Sequence, residues 1–147
     1  MMTSVTEQED ERFALANDLR LACQRIARRV RFESTSQVAP HQFSVLAHLH
    51  HGGAQTPGQL AALDRVSAPS MTRTVNCLET DGLVARVPHP GDGRQVLVQL
   101  TDAGLAIITH TIASRDTWMA AHLEGLDADQ LALLRKAADL LLEVSNG

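Results

Sequence analysis

In a chain whose patterned segments otherwise repeat like helices, residues 83–100 read as a β-hairpin. Leu83–Pro88 and Gln95–Leu100 have strand character, Val96, Val98 and Leu100 alternate, and Asp92-Gly93 marks the turn between them. What surrounds this hairpin decides the fold. Immediately before it, three short helices follow one another. Pro40 opens the first, which carries Phe43, Val45, Leu46 and Leu49 and stops at Gly52-Gly53. The second has Thr56 as N-cap, Pro57 at the first helical position and Gln59 where a capping box needs it, and it ends near Leu63–Asp64. Ser67 caps the third, whose inward stripe is Ala68, Met71, Val75 and Leu78 and whose stop is Gly82. Three compact helices followed by a two-stranded wing make a mainly α, winged helix-turn-helix lobe, expected over residues 38–100.

Longer helices flank this lobe. Residues 7–33 read as one helix, with Leu15, Leu19, Ala22, Ile26 and Val30 at spacings of three and four and no Gly or Pro between them. At 1.5 Å per residue it would be about 40 Å long, more than a small domain needs. Thr101 caps a helix running to about Ala121, and Asp127, with Gln130 three residues on, caps a last one ending near Val144. Leu126, Leu131, Leu134, Leu140, Leu141 and Leu142 make this end too apolar to stay in water, and the first helix has a matching stripe. Residues 1–37 and 101–147 are therefore expected to form the dimerisation region of a homodimer. Leu15, Leu19, Ile26, Leu131, Leu134 and Leu141 would lie at its interface.

The totals agree with a soluble domain. A chain of 147 residues can bury roughly 70% of the surface it exposes when unfolded, so it needs no disulfide or metal staple. Aromatic residues are scarce, with no tyrosine, so the core must be mostly Leu, Val, Ile and Ala. The net charge of −4 argues against a nonspecific nucleic-acid coat, but charge is segregated along the chain. Arg20, Arg25, Arg28, Arg29 and Arg31 lie in one stretch, Arg65, Arg73, Arg86 and Arg94 fall in the middle, and acids dominate the last third. A local basic face is compatible with that distribution. Cys23 and Cys77 are far apart and form no ligand-spaced pair, which fits a reducing cytoplasm. The start, MMTSVTEQEDER, is too polar for a signal peptide, and no apolar run approaches a membrane span. A cytoplasmic protein is expected.

The helix capped by Ser67 turns Pro69, Ser70, Arg73, Asn76 and Cys77 away from its apolar stripe. Ser, Thr, Asn and Arg hydrogen-bond base edges and phosphates, whereas a merely solvated face usually carries Glu and Lys. Here the acids, Glu79 and Asp81, come only at the far end. Arg94 stands beside the hairpin tip, which would lie over the neighbouring minor groove when the helix enters a major groove. Narrow A·T tracts concentrate negative potential there. Arg94 is then a minor-groove probe, its guanidinium held by Asp92 together with Arg86.

At these residues the chain resembles the MarR family of bacterial winged helix-turn-helix transcription regulators. DGRQVLVQLTDAG is similar to the family's wing signature, Asp-x-Arg, an apolar strand and Leu-Thr-x-x-Gly. QFSVLAHLHHGGAQTPGQLAAL, SAPSMTRTVNCLETDGLVAR and the terminal helices fit its order over about residues 10–145. The resemblance implies a homodimeric regulator of double-stranded DNA, usually a repressor, often released by small anionic or phenolic ligands. It matches Arg94 to the wing arginine, Asp92 to its partner, and Ser67, Ser70, Thr72 and Arg73 to the front of the recognition helix. Asn76 joins them on the outward face. Two departures stand out. Cys77 occupies a position where the family often has arginine, and Val38-Ala39 replaces a Leu-Thr helix start, a lost cap that costs on the order of 1 kcal/mol.

Cys77 on the outer face, or Cys23 in the first helix, could sense oxidation, but unsupported cysteines are mostly inert. His48, His50 and His51 do not converge on one helix face; the resemblance implies a metal role for histidines at the junction of the two regions, where His41 and His110 could sit, but no resident metal or other cofactor is expected. No phosphate-cradling loop, HExxH or Ser/His/Asp grouping points to an enzyme. A winged helix used only for protein contacts would carry apolar residues on the outer face of the Ser67-capped helix, and these are absent.

Overall fold

The computed structural model describes residues 2–147. It contains α1 (Met2–Glu33), α2 (Pro40–Gly52), α3 (Pro57–Asp64), α4 (Ala68–Thr80), β1 (Val84–Pro88), β2 (Val96–Leu100), α5 (Asp102–Leu123) and α6 (Ala128–Ser145). The winged helix-turn-helix order expected from the sequence is the order observed. Helix α1 starts five residues before the expected position, since nothing in its polar N-terminal stretch breaks a helix.

Local chemistry explains most boundaries. Thr56 and Gln59 close a reciprocal capping box at 3.1 and 2.9 Å, and Asp127 with Gln130 does the same at 2.8 and 3.1 Å. The alanine at the start of α2 has no acceptor to offer, yet half a box survives: Gln42 Oε1 accepts from the Ala39 N–H at 3.0 Å. Helix α3 ends on Arg65, a non-glycine residue in the left-handed region at φ 53°. That turn leads directly into Ser67 and α4.

The strands pair antiparallel from Val84↔Leu100 to Pro88↔Val96. A third segment joins them, because Gln55 and Val98 exchange backbone hydrogen bonds at 3.0 and 2.7 Å. The wing is thereby fastened to the loop between α2 and α3. At its other end, Thr101 caps α5 through the Gly104 N–H at 3.1 Å and donates to the Gly82 carbonyl at 2.6 Å. A Cβ on Gly104 would lie 1.9 Å from the Leu83 carbonyl oxygen, so only glycine lets α5 start this close to β1. This gives the Leu-Thr-x-x-Gly run its physical meaning.

The core is Val45, Leu46, Leu49, Leu60, Met71, Val75, Leu78, Leu83, Val84, Val98 and Ile108, with Ala61 at its edge. All of it lies in the winged lobe and the first half of α5. Ala68, expected to face inward, is exposed, because the chain is still entering α4 there and the core contacts begin at Met71.

Candidate nucleic-acid interface

Three buried side chains, Met71, Val75 and Leu78, fix the rotation of α4. That rotation leaves Ser67, Thr72, Arg73, Asn76 and Cys77 exposed, while Ser70 is half-buried in a groove shared with His41 and Asp64. The hydroxyls have structural duties: Ser67 accepts from the Ser70 N–H at 3.2 Å, and Thr72 donates to the Ala68 carbonyl at 2.9 Å. Each keeps hydrogen-bonding capacity for a further partner. Arg73 differs, as its guanidinium has no partner among the described residues.

The wing tip departs from a two-residue Asp-Gly hairpin. Strand pairing stops at Pro88 and resumes at Val96, and the intervening loop closes through bonds from Gln95 N to Asp92 O at 3.0 Å and from His89 N to Gln95 O at 3.1 Å. Asp92 and Arg86 do not hold the Arg94 guanidinium. Asp92 Oδ1 instead accepts from the Arg94 backbone N–H at 3.0 Å, the short-range turn bond that aspartate makes two residues ahead. His89 Nδ1 accepts from the N–H groups of Gly91 and Asp92 at 3.0 and 3.1 Å, a role sequence reasoning missed. The backbone is thus anchored while the exposed Arg94 guanidinium projects without a partner among the described residues.

Arg86 works at the base of the wing. Its Nη1 donates to Glu79 Oε1 at 2.9 Å, its Nη2 to Asn76 Oδ1 at 2.8 Å, and its backbone N–H to Glu79 Oε2 at 3.3 Å. The longer reach to the tip is replaced by a shorter one to α4, where a carboxylate competes for the charge. Helix and wing are coupled by this link.

One grouping looks catalytic and is not. Ser44, His48 and Asp64 come together: Ser44 donates to Asp64 Oδ1 at 2.7 Å, and His48 Nε2 lies 2.7 Å from the same oxygen and 3.4 Å from Ser44. A relay needs the carboxylate on one ring nitrogen and the hydroxyl on the other. Here both face Nε2, so the trio ties α2 to the end of α3. Among the described residues no three His, Cys, Asp or Glu side chains gather as a metal site. Both cysteines are exposed thiols, and His110 is exposed on α5.

A second charged region lies where α1 and α2 meet α5. Arg115 stacks its guanidinium 3.7 Å from the Phe43 ring centroid, and its Nε is buried without a hydrogen-bond partner among the described residues. Burial, and after it the charge of Arg31, push its pKa down. Nearby, Glu33 accepts from Arg29 at 3.0 Å and from the Trp118 indole at 2.9 Å, joining α1 to α5. Arg29 first, then Trp118, hold the Glu33 carboxyl below its ordinary pKa.

Comparison with known proteins decides what this arrangement is. Residues 38–96 match the family model described as MarR family. The multiple antibiotic resistance protein MarR of Escherichia coli is 33% identical over 103 residues, covering 69% of this chain and 71% of that protein. The chain belongs to the MarR family. An HTH-type transcriptional regulator of Mycobacterium leprae is closer in sequence, 45% identical over 131 residues, with 88% of this chain and 92% of that protein covered. The fold agrees: a transcriptional regulator of Pseudomonas aeruginosa superposes with a TM-score of 0.80 at 28% identity, covering 94% of this chain and 97% of that one. This MarR-family chain is a DNA-binding transcription regulator, and none of its described helices is long and apolar enough to cross a membrane.

Proposed function

We propose that the chain acts as a homodimeric repressor, with residues 38–100 reading DNA and residues 1–37 and 101–147 joining two copies. Helix α4 enters a major groove through Ser67, Ser70, Thr72, Arg73 and Asn76, and Arg94 probes the adjacent minor groove. One observation carries this reading. The guanidinium groups of Arg73 and Arg94, on the helix and the wing, have no partner among the described residues, while Arg86 between them is fully engaged in joining the two elements. Cations held out from a rigid frame match a phosphate-lined surface. Exposed Leu15, Leu19, Ile26, Leu131 and Leu134, with half-buried Leu141, support dimerisation through the terminal helices. Two-fold symmetry then calls for a pseudo-palindromic operator with half-sites about 34 Å apart.

Release from DNA fits a small anionic or phenolic effector in the crevice near Arg115. Two cavities of about 390 and 260 Å³ share Arg31, Pro40 and Arg115 in their linings, and neither lining contains a carboxylate. Val30 and Phe43 offer an apolar wall, and the unsatisfied Nε of Arg115 offers a donor. An occupant there touches α1, α2 and α5 together, so it can bias the spacing of the two lobes. Fluorescence anisotropy on the DNA upstream of the chain's own gene, against a scrambled fragment at several salt concentrations, tests the DNA reading. Specific, salt-steep binding is expected; equal weak binding to both fragments would contradict it. In the same assay benzoate should release the operator from the parent and not from Arg115→Met, with DNA affinity unchanged in its absence.

A further inference from the structure

We propose that Asn76 reads a guanine as a hydrogen-bond donor, because Arg86 turns its acceptor oxygen toward the wing. This rests on α4 being the DNA-reading helix. At 100° per residue, Asn76 lies about 130° and Arg73 about 170° from the centre of the buried stripe, so both stand on the outermost side of α4. Asn76 is exposed there, where its amide can reach a base edge.

The orientation of that amide follows from its neighbour. A guanidinium can only donate, so the atom of Asn76 that faces it must be the oxygen. Arg86 Nη2 lies 2.8 Å from Asn76 Oδ1, and Glu79 steadies the guanidinium through Nη1 at 2.9 Å while also accepting from the Arg86 backbone N–H at 3.3 Å. The amide nitrogen, with two hydrogens, therefore points outward. An unrestrained asparagine pairs with adenine by donating to N7 while accepting from N6, which needs its nitrogen and oxygen side by side at the base edge, whereas here the oxygen is directed to Arg86. Guanine presents two adjacent acceptors, N7 and O6, and suits a donor-only side chain. Cytosine presents only an amino group in the major groove and is rejected. Arg86, acting through the Asn76 oxygen, thus sets the specificity of Asn76 as a positioning residue.

Selection from a randomised duplex pool, followed by sequencing, tests the assignment. The parent should enrich guanine at one position in each half-site, by about two- to tenfold for a single neutral hydrogen bond. Asn76→Ala should flatten that position alone. Asn76→Asp keeps the link to Arg86 and the size of the side chain but turns an acceptor outward, so the preference should move to cytosine. Arg86→Met releases the oxygen and should move it toward adenine, with circular dichroism confirming the fold. An Asn76→Ala profile identical to the parent's would overturn the proposal, as would adenine in the parent at the position that Asn76→Ala flattens. A parent that enriches no sequence would overturn the DNA-reading role of α4 itself.

Discussion

The winged lobe and the terminal helices obey the same sequence pattern and end in opposite environments. Among the described residues, every buried apolar side chain lies between Val45 and Ile108. Helix α6 buries nothing, with Leu133, Leu140 and Leu142 more than 60% exposed, and along α1 Phe13 and Phe32 are over 70% exposed. Leucines at helical spacing therefore do not by themselves indicate a core. Around α2 the stripe is met by α3, α4, β2 and α5, whereas the stripes of α1 and α6 remain partly open to water along their length. The lobe carries its own stabilising burial; in the proposed dimer a second copy would give the terminal helices theirs.

The comparison can be broken most severely at α1. Removing residues 1–33 should convert a dimer to a monomer on gel filtration while the winged lobe keeps its circular dichroism signal. A truncated protein that still elutes as a dimer would refute the assignment of the terminal helices. Within the lobe, Gly104→Ala should lower unfolding stability by about 2–3 kcal/mol in urea titrations, since the added methyl meets the Leu83 carbonyl and α5 must shift. An unchanged midpoint would show that α5 does not depend on this close approach. The smallest effect is at the junction of the two regions. Glu33 has a lowered folded pKa, so its contribution is present above the ordinary value of 4.5 and is lost as pH falls through the folded value. Trp118 is the single tryptophan and donates to Glu33, so its emission should change on acidification below about pH 4.5 and not in Glu33→Gln.

Features made within a few residues were legible from the sequence, and those made across the fold were not. Thr56–Gln59, Ser67, Thr101 and Asp127–Gln130 are caps whose partners lie three residues away, and all are present. The outward turn of Arg73, Asn76 and Cys77 follows from the positions of Met71, Val75 and Leu78. The bond from the Arg94 N–H to Asp92 is also local, because aspartate two residues before an N–H commonly accepts from it. Arg86 is different: its partners are seven and ten residues away across a chain reversal, and no local pattern reports which carboxylate it will meet. The Gln55–Val98 bridge and the Arg115–Phe43 stack join segments more than forty residues apart, and they arise from packing alone.

The central claim is that two wings, one per copy, bring Arg94 to DNA. The slope of log K against log salt for operator binding, compared between the parent and Arg94→Ala, tests it most directly. An arginine in the minor groove neutralises the phosphates that flank it and displaces their counterions, about 0.9 in slope per charge, so a dimer losing two should lose about 1.8, together with about 1–3 kcal/mol of affinity. An unchanged slope would contradict the account, and a loss of only about 0.9 would mean that a single wing is engaged.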